Sequence, residues 1–464
     1  MMDTLTGKHL VILGLARQGI ALARFAASVG GHVTVSDLRP PERLGEALDA
    51  LAGLNISFVL GEHPDSLLDG ADILAISGGV PADAPLVQMA RQQGIALTND
   101  SLEFIRRATG RTIGITGSAG KTTTTSLVGE MCRADGRTTW VGGNIGQPLI
   151  AVLAEIGAGD CVVQELSSFQ LEIWDRSPAI AAILNLTPNH LDRHKTMSDY
   201  IQAKGNIVRF QAADDVAVLC ADDPETMALA PLVRGRMRLF SQQRRLVDGA
   251  FVDQGKVWLS ENEDQTPLCS LANIGLRGRH NIYNVLAAAT IADTCGISLD
   301  AMREAIAAFT GVPHRLEVVD SINQVQFIND SIATAPERAL AAIDSFTEPI
   351  VLLAGGRDKE MKWDKWADTV NRRVRAVVLF GDLADELEGH LQQAAASLNG
   401  SRALKQIIRQ KSLSDAVQAA AAIAQPGEVV LLAPGGTSFD AFADFAERGQ
   451  AFRELVKALA ERAE

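Results

Sequence analysis

Short apolar runs alternate with helical stretches between Leu10 and Leu97. The runs are short and bounded by turn residues, which is typical of buried strands. Strands are predicted at Leu10–Leu13, His32–Ser36, Ile56–Leu60, Asp72–Ser77 and Ile95–Leu97, and a helix at Ile20–Val29. This alternation predicts a β-α-β series of the dinucleotide-fold kind.

A second series begins at Arg111, just after the break Ala108-Thr-Gly110. Its strands are near-continuous apolar runs, as expected of a parallel sheet that is covered on both faces. They are predicted at Ile113–Thr116, Cys161–Glu165, Ala181–Asn185 and Val216–Cys220.

Between about Leu246 and Leu276 the pattern changes to short segments in which apolar and polar residues alternate. The pairs Asp248-Gly249 and Gln254-Gly255 predict turns, and therefore small antiparallel hairpins at the edge of the domain. A helix from about Asn281 to Cys295 follows.

A third series follows Gly311-Val-Pro-His-Arg315, with strands predicted at Val325–Asn329, Ile350–Ala354, Ala376–Phe380 and Val429–Ala433. Three αβ layers agree with a chain of 464 residues, which is too long for one core. We therefore expect an α/β protein of three domains, with bounds at 1–107, 108–311 and 312–464. The first and third are expected to be Rossmann-like.

Composition narrows the class of protein. With 47% apolar and 21% charged residues the chain is an ordinary globular protein. A net charge of −13 argues against a nucleic-acid partner. No apolar run approaches membrane-spanning length, and the N-terminus lacks a signal-type pattern, so no membrane association is expected. The five cysteines are isolated and predicted to be reduced thiols, which favours the cytoplasm.

An apolar strand leads into a glycine-rich turn that is typical of a phosphate-binding loop. In Gly117-Ser-Ala-Gly-Lys-Thr-Thr123, glycines let backbone N–H groups converge on phosphate oxygens at the start of a helix. Lys121 supplies a point charge, and Thr122 offers a hydroxyl to magnesium. The strict pattern has glycine where this chain has Ile115, and a plain glycine-rich turn is the alternative. We interpret 108–311 as a P-loop domain with a mostly parallel sheet that binds a nucleoside triphosphate.

Polar residues follow two other strands of this domain. Glu165 ends a strand where P-loop proteins commonly have a carboxylate that helps to hold magnesium, and a solvated acid is the alternative. His190 and His194 follow the next strand. They could bind a metal or lie exposed in a loop, and for His194 we prefer the exposed loop. By its sequence context alone, Lys204 is predicted to be a solvated helix lysine.

The first β–α turn resembles the nicotinamide fingerprint. Gly14-Leu-Ala-Arg-Gln-Gly19 opens the first helix, and Asp37 ends the second strand in the acidic position. The middle glycine of the fingerprint, where a pyrophosphate must approach closely, is Ala16 here. A nucleotide-type ligand and a plain Rossmann-like turn are equally consistent with these residues.

Further polar groups lie at helix starts, in a linker and at strand ends. Asn281 and Asn284 share a helix face, where they could contact a base, and helix capping by Asn281 is the alternative. Arg315 lies in a Pro-containing link, where a cation could reach a phosphate. Three strand-end loops indicate a small anionic substrate in the third domain: Asn329-Asp-Ser331, Gly355-Gly-Arg-Asp-Lys359 and Pro434-Gly-Gly-Thr-Ser438.

Taken together, these pieces resemble the ATP-dependent Mur ligases of bacterial cell-wall synthesis over the whole chain. The resemblance rests on five motifs in order: Thr116-Gly-Ser-Ala-Gly-Lys-Thr122, Glu165-Leu-Ser-Ser-Phe-Gln170, Asn185-Leu-Thr-Pro-Asn-His-Leu-Asp-Arg-His194, His280-Asn-Ile-Tyr-Asn284 and Pro313-His-Arg315. It implies a UDP-substrate domain, an ATPase domain and a domain for the incoming amino acid. The implied substrates are UDP-N-acetylmuramoyl-L-alanine and D-glutamate.

The resemblance also implies the residues around ATP and the metals. The residues at ATP would be Gly117, Ser118, Gly120, Lys121, Thr122, Thr123, Asn281, Asn284, Arg315 and Asp330. Two magnesium ions would be held, the first by Thr122 and Glu165, the second by His190 and a Lys204 that is carbamylated on its ε-nitrogen. The residues with catalytic roles would be Lys121, His190, Lys204 and Arg315.

For the other two substrates the resemblance again implies residues. Those at the UDP-linked substrate would be Leu15, Ala16, Arg17, Asp37, Arg39, Asn144 and His190. Those at the incoming glutamate would be Thr334, Lys359, Ser438 and Phe445. A monomer is expected. The implied reaction passes through an acyl phosphate, which glutamate's amine attacks to form an amide.

The chain departs from the family pattern at three places. Ala119 replaces the usual asparagine of the phosphate loop, and Ser77-Gly-Gly79 replaces a more usual Ser-Pro-Gly. Ile332 and Ala335 replace a lysine and an asparagine beside the expected amino-acid site. These last changes leave D-glutamate, L-glutamate and another amino acid open as the added residue.

Three other functions are alternatives. A nicotinamide-dependent oxidoreductase is opposed by Ala16 and by the separate phosphate loop. A non-catalytic nucleotide-binding module would not need Glu165, His190 and Lys204 together. Another amide ligase of the same fold could act on folate or on a later muramoyl peptide. The folate type is opposed by the αβ series that precedes the ATPase domain.

Overall fold

The computed structural model describes residues 3–188, 191–276, 278–358, 361–397 and 402–463. The chain divides into two compact units, Met1–Phe309 and Thr310–Glu464. Over the described residues, the first unit carries two β-sheets and the second carries one. In the part of the chain that is described, no helix is long and apolar enough to cross a bilayer.

The N-terminal sheet is parallel throughout and has the strand order β3-β2-β1-β4-β5. Its elements are β1 (His9–Leu13), α1 (Arg17–Ser28), β2 (His32–Asp37), α2 (Gly45–Asp49), β3 (Ile56–Leu60), β4 (Ile73–Ile76), α3 (Pro85–Gln92), β5 (Ala96–Thr98) and α4 (Asp100–Arg107). The five predicted strands and the Rossmann-like character of this domain are confirmed. The strand order reverses beside β1, which puts the turn after β1 where open αβ sheets bind ligands.

The central sheet has the order β14-β13-β12-β11-β10-β9-β6-β8-β7. Its elements are β6 (Arg111–Thr116), α5 (Lys121–Ala134), β7 (Thr139–Gly143), β8 (Cys161–Glu165), α6 (Ser168–Leu171), β9 (Ile180–Ile183), α7 (Leu191–His194), α8 (Met197–Arg209), β10 (Val216–Cys220), α9 (Pro224–Met227), β11 (Arg236–Ser241), β12 (Gly249–Asp253), β13 (Lys256–Glu261), β14 (Asp264–Ser270), α10 (Arg279–Thr294) and α11 (Leu299–Ala308). From β7 to β12 all neighbouring strands are parallel, as predicted. The apolar residues of β8, β9 and β10 are buried, because helices cover both faces.

The hairpins predicted at the edge of this sheet are confirmed, although one of the two predicted turns is wrong. β12 and β13 are antiparallel and joined through Gln254-Gly255, as expected. The β13–β14 turn uses Asn262 and Glu263, which both have positive φ. Gly249 is not in a hairpin turn, since it starts β12, which pairs in parallel with β11. A side chain at Gly249 would overlap the carbonyl oxygen of Leu239, and this close approach explains the glycine.

The C-terminal sheet has the order β15-β16-β20-β17-β18-β19. Its elements are β15 (Glu317–Ile322), β16 (Val325–Asn329), α12 (Pro336–Ile343), β17 (Ile350–Gly355), α13 (Asp364–Arg373), β18 (Val374–Phe380), α14 (Ala384–Ser397), β19 (Gln406–Arg409), α15 (Leu413–Ile423), β20 (Val429–Gly435) and α16 (Phe445–Ala463). The four predicted strands are confirmed. The edge strands β15 and β19 were not predicted, because both are only partly buried and lack the apolar runs of the inner strands.

Candidate functional site

The predicted phosphate loop lies between β6 and α5, at the carboxyl end of the central sheet. Gly117 has φ +158° and Gly120 has φ +81°, so Gly120 holds the left-handed conformation that favours glycine. A side chain at Gly120 would also overlap Oδ1 of Asn284. Lys121 is the first residue of α5, a helix of 14 residues whose N–H groups point toward the loop. This geometry suits a bound phosphate group.

Neighbouring segments hold the loop in place. The Asn185 side chain accepts a hydrogen bond from the Ala119 N–H at 2.9 Å and donates to the Ala119 carbonyl at 3.1 Å. The Ser118 hydroxyl donates to the Thr187 carbonyl and lies 2.9 Å from the Tyr200 hydroxyl. Because these bonds engage the Ser118 side chain, its predicted contact with ATP would come from its backbone. Neither Asn185 nor Tyr200 was singled out from the sequence as a partner of the loop.

Two lysines approach the inside of the loop. Lys121 Nζ donates to the carbonyls of Gly117 and Ser118 at 3.0 and 3.3 Å. Lys204 on α8 donates to Thr116 Oγ1 and to the Gly117 carbonyl, and its side chain is 1% exposed. Burial, together with the charge of Lys121, lowers the pKa of Lys204 well below its usual value, although Glu165 opposes the shift. The prediction of a solvated helix lysine at position 204 was therefore wrong.

A carboxylate and a hydroxyl meet beside the loop. Thr122 Oγ1 donates to Glu165 Oε2 at 2.8 Å, and Asn144 Nδ2 donates to Glu165 Oε1 at 2.8 Å. Glu165 ends β8, as predicted, and is 2% exposed. Hard oxygen ligands of this kind are those that Mg²⁺ prefers next to a nucleotide. The pair Thr122 and Glu165 therefore fits a magnesium ion.

The two histidines after β9 have separate outcomes. His190 lies outside the described residues. His194 is buried, contrary to the exposed loop that we expected, and its Nε2 lies 2.9 Å from Ser168 Oγ. Its ring stacks on Phe169 and meets Tyr200 edge-on. His194 therefore packs α7 against α6 and α8.

A cavity of about 340 Å³ opens beside the phosphate loop. Its walls include Gly120, Asn284, Tyr283 and Asp222. Asn284 Nδ2 donates to Asn281 Oδ1 at 2.8 Å, so the two amides predicted to share a helix face contact each other. The Tyr283 hydroxyl donates to Asp222 Oδ2 at 3.1 Å. The cavity has a size and polarity that suit a nucleoside, and the sequence pattern did not single out Asp222 or Tyr283.

In the N-terminal sheet, four of the predicted residues meet at the turn after β1. Asp37 Oδ2 accepts from the Leu15 N–H at 2.7 Å, and Arg39 donates to both Asp37 oxygens and to the Leu15 carbonyl. The hydrogen bonds from Arg39 lower the pKa of Asp37 to about 2 against the effect of burial. Ala16 caps α1 without a side-chain bond. The Asp37 carboxylate thus shapes the turn.

The same turn reaches the central domain within the first unit. Arg17 Nη2 donates to the Asn144 carbonyl at 3.4 Å, while the Asn144 amide holds Glu165. A ligand on the turn after β1 would therefore lie next to Asn144, whose amide holds the candidate magnesium carboxylate of Glu165.

In the second unit the turn after β16 contacts the end of β20. Asp330 accepts from the Leu316 N–H at 3.0 Å, and burial raises the pKa of this carboxyl to about 6, against the nearby charge of Arg315. Thr334 follows on this turn, and the carbonyl of the preceding residue, Ala333, accepts a hydrogen bond from the Gly435 N–H at 2.8 Å. Ser438 is buried after β20. Lys359 lies outside the described residues.

Arg448 on α16 is a buried cation that the sequence did not single out. It donates to Ser331 Oγ and to the Ser331 and Gly436 carbonyls, and burial lowers its pKa to about 10. Ser331 Oγ in turn donates to the carbonyl of Phe445 at 2.8 Å. Arg448 therefore holds together the turns after β16 and β20, which carry residues predicted to contact the incoming amino acid.

Three protein-family models match the chain. The Mur ligase MurD-like N-terminal domain matches residues 8–99, the Mur ligase middle domain matches 115–292, and the Mur ligase glutamate ligase domain matches 314–436.

Curated relatives match at nearly full length. A UDP-N-acetylmuramoylalanine–D-glutamate ligase of Symbiobacterium thermophilum is 41% identical over 97% of this chain and 98% of its own. One from Thermoanaerobacter pseudethanolicus is 38% identical over 98% and 99%. Among solved structures, a UDP-N-acetylmuramate–alanine ligase from Thermotoga maritima superposes with a TM-score of 0.53 at 19% identity, over 97% of this chain and 99% of that one. That last likeness shows the same fold.

Proposed function

The chain belongs to the Mur ligase family, and we propose that it joins D-glutamate to UDP-N-acetylmuramoyl-L-alanine while ATP is converted to ADP and phosphate. This amide ligation is a step of peptidoglycan precursor synthesis. The observation that carries the proposal is the nearly full-length similarity to D-glutamate ligases, at 38% and 41% identity for the two relatives named above, in a chain with a formed phosphate loop.

The reaction has two steps. The terminal carboxylate of the UDP-linked substrate attacks the γ-phosphate of ATP, which gives an acyl phosphate and ADP. The amine of glutamate then attacks the acyl carbon, loses a proton and displaces phosphate, which leaves the amide. Negative charge gathers on oxygen in both steps, so Lys121 and the backbone N–H groups of the loop would stabilise the transferring phosphate.

Two magnesium ions are part of the proposal. Thr122 and Glu165, which are hydrogen-bonded at 2.8 Å, would hold the first. His190 and a carbamylated Lys204 would hold the second. When bound, the ions would neutralise phosphate charge. The buried environment of Lys204 supports the carbamate, because a lysine with a lowered pKa is more often neutral, and the neutral amine is the form that adds carbon dioxide.

The proposed contacts of ATP and of the UDP moiety lie near the carboxyl ends of strands. ATP would extend from Gly117, Gly120 and Thr123 along α10, with its base in the cavity beside Asn284 and Asn281. Arg315 and Asp330 are proposed as further residues that contact ATP. The backbone of Leu15 and Ala16 and the side chains of Arg17 and Arg39 would contact the UDP moiety.

Asn144 and His190 would contact the muramoyl part of the same substrate. Thr334, Lys359, Ser438 and Phe445 would frame glutamate. Because ATP is a substrate, we place the reaction in the cytoplasm, and we expect a monomer.

Release of phosphate tests the proposal. The purified protein is supplied with ATP, Mg²⁺ and UDP-N-acetylmuramoyl-L-alanine, and phosphate is measured with D-glutamate, L-glutamate or neither. We expect release with D-glutamate only, and a product whose mass exceeds the substrate's by one glutamyl residue. Lys121→Met, which removes the loop cation, serves as the inactive control. Release with neither enantiomer would contradict the glutamate assignment, and release with L-glutamate only would contradict its stereochemistry.

A further inference from the structure

Arg193 on α7 bridges the two sheets of the first unit. Its Nη2 donates to the Val80 carbonyl at 3.0 Å, and its Nη1 points at the carbonyls of Gly78 and Gly79 at 3.3 and 3.5 Å. These three acceptors belong to the loop that follows β4, which we call the β4 loop (Ser77–Val80). One guanidinium group thus forms hydrogen bonds with three consecutive carbonyls.

The guanidinium is itself held on its other side. It stacks over the ring of Phe169 at 4.1 Å, and Phe169 lies on α6, directly after the strand that ends at Glu165. A planar guanidinium can lie flat against a ring while its fork of N–H groups spans separate oxygens, whereas an ammonium group is a compact point charge without that spread. The interaction therefore depends on arginine and not only on a positive charge.

The β4 loop needs a partner of this kind because its own sequence is flexible. It contains Gly78 and Gly79, neither of which has positive φ, and a side chain at Gly79 would meet nothing within 4 Å. Two successive glycines leave the backbone many conformations. External hydrogen bonds to its carbonyls restrict those conformations.

The β4 loop lies against the turn after β1. Ser77 Oγ donates to the Gly14 carbonyl at 3.2 Å, and a side chain at Gly14 would crowd Ser77. Any displacement of the β4 loop would therefore reach the turn that carries Leu15 and Arg17.

We propose that Arg193 is a positioning residue that fixes the β4 loop and thereby shapes the binding site of the UDP-linked substrate. The guanidinium joins the β4 loop to α7, which belongs to the ATPase domain. Binding of the UDP-linked substrate therefore depends on a side chain of the ATPase domain. The part of the proposal that concerns this substrate rests on the proposed function.

Hydrogen exchange in the ligand-free protein tests the first part. In Arg193→Met and Arg193→Lys, we expect amides of residues 77–84 to exchange about tenfold faster than in the wild type, because the carbonyl bonds that restrain the loop are lost. Lys195→Met is the matched control, since it removes a cation of the same segment that pairs with Asp83 at 2.7 Å but is 72% exposed. Such an exposed pair contributes little. Unchanged exchange in both Arg193 variants would overturn the proposal, whatever the protein's activity.

Steady-state kinetics test the second part. For Arg193→Lys we expect KM for UDP-N-acetylmuramoyl-L-alanine to rise about tenfold, while KM for ATP changes less than about twofold, because a lost positioning contact weakens one substrate selectively. Equal increases in both KM values would indicate a general structural defect and overturn this assignment. If the wild type itself releases no phosphate while the exchange result holds, the proposed function fails and the role of Arg193 in fixing the loop stands.

Discussion

The amine of Lys204 lies where a positive charge is disfavoured. Its side chain is buried, Lys121 lies close by, and its bonds go to the neutral oxygens of Thr116 and Gly117. A carbamate would replace the cation by an oxygen-bearing anion, which would attract a magnesium ion instead of repelling it.

Removing this side chain tests the carbamate. For Lys204→Ala we expect ligase activity to fall at least about hundredfold, because the second ion loses an oxygen ligand. Short carboxylic acids such as formate or acetate should restore part of the rate, since they can supply that oxygen. Lys195→Ala, at an exposed lysine, is the control and should keep the wild-type rate. An unchanged rate in Lys204→Ala would rule out the carbamate role.

Asp330 gives a second residue-scale prediction, which concerns pH. Its folded-state pKa of about 6 lies above the usual 3.8, so folding favours its neutral form. Stability from this group is present below pH 4, is lost as pH rises from about 4 to 6, and stays lost above that.

Asp330→Asn removes this titration and can still accept the Leu316 N–H at 3.0 Å. We compare the free energy of unfolding of the variant with that of the wild type at each pH. We expect this difference to shift in favour of the variant by about 3 kcal/mol at most between pH 4 and pH 7.5, a figure that follows from the size of the pKa shift. Thermal unfolding at both pH values measures this. The same difference between the two proteins at both pH values would contradict a raised pKa.

At the scale of elements, the loop between β6 and α5 depends on its glycines. Gly120 combines a left-handed backbone with close contact to Asn284, so this one position sets both the start of α5 and the approach of α10 to the loop. Any side chain there would disturb both.

Gly120→Ala tests this dependence. Left-handed backbone costs a non-glycine residue about 1–2 kcal/mol, and the added methyl group must also displace Asn284. We therefore expect the dissociation constant for ADP with Mg²⁺, measured by calorimetry, to rise more than about tenfold. Gly159→Ala is the control, because a side chain at Gly159 meets nothing within 4 Å and its φ is not positive. ADP binding equal to the wild type in Gly120→Ala would show that the conformation of this loop does not determine affinity.

At the scale of the whole molecule, the proposed chemistry is divided between two compact units. Met1–Phe309 carries the phosphate loop, the Thr122–Glu165 pair and the turn after β1. Thr310–Glu464 carries Arg315, Asp330 and the turns proposed for glutamate. Neither unit contains the full set of groups.

A fragment of residues 1–309 tests this division. We expect it to bind ADP and the UDP-linked substrate in calorimetry, because the contacts proposed for both lie mostly within it, but to form no amide with D-glutamate. The full-length chain under the same conditions is the positive control. If the fragment alone released phosphate only when D-glutamate was present, the proposed role of the second unit would be contradicted.

Much of this architecture follows from local pattern. Buried strands such as Val325–Asn329 and Cys161–Glu165 were predicted with the bounds that they have, because inner strands of parallel sheets are continuous apolar runs bounded by turns. The phosphate loop was equally readable, since its glycines, lysine and threonine are adjacent in sequence. The turn at Asp248-Gly249 was mispredicted, because the same pair of residues also suits a strand start that approaches a neighbouring backbone.

The pattern of residues along the chain was therefore sufficient to predict the succession of strands and helices, the phosphate loop and the family. The folded protein was needed to show that Lys204 and His194 are buried, that Tyr283 reaches Asp222, and that Arg193 and Arg448 hold distant loops. These features depend on side chains that are far apart along the chain. Their burial and partners, and with them their charge states, are set by how the elements pack, which no local pattern contains.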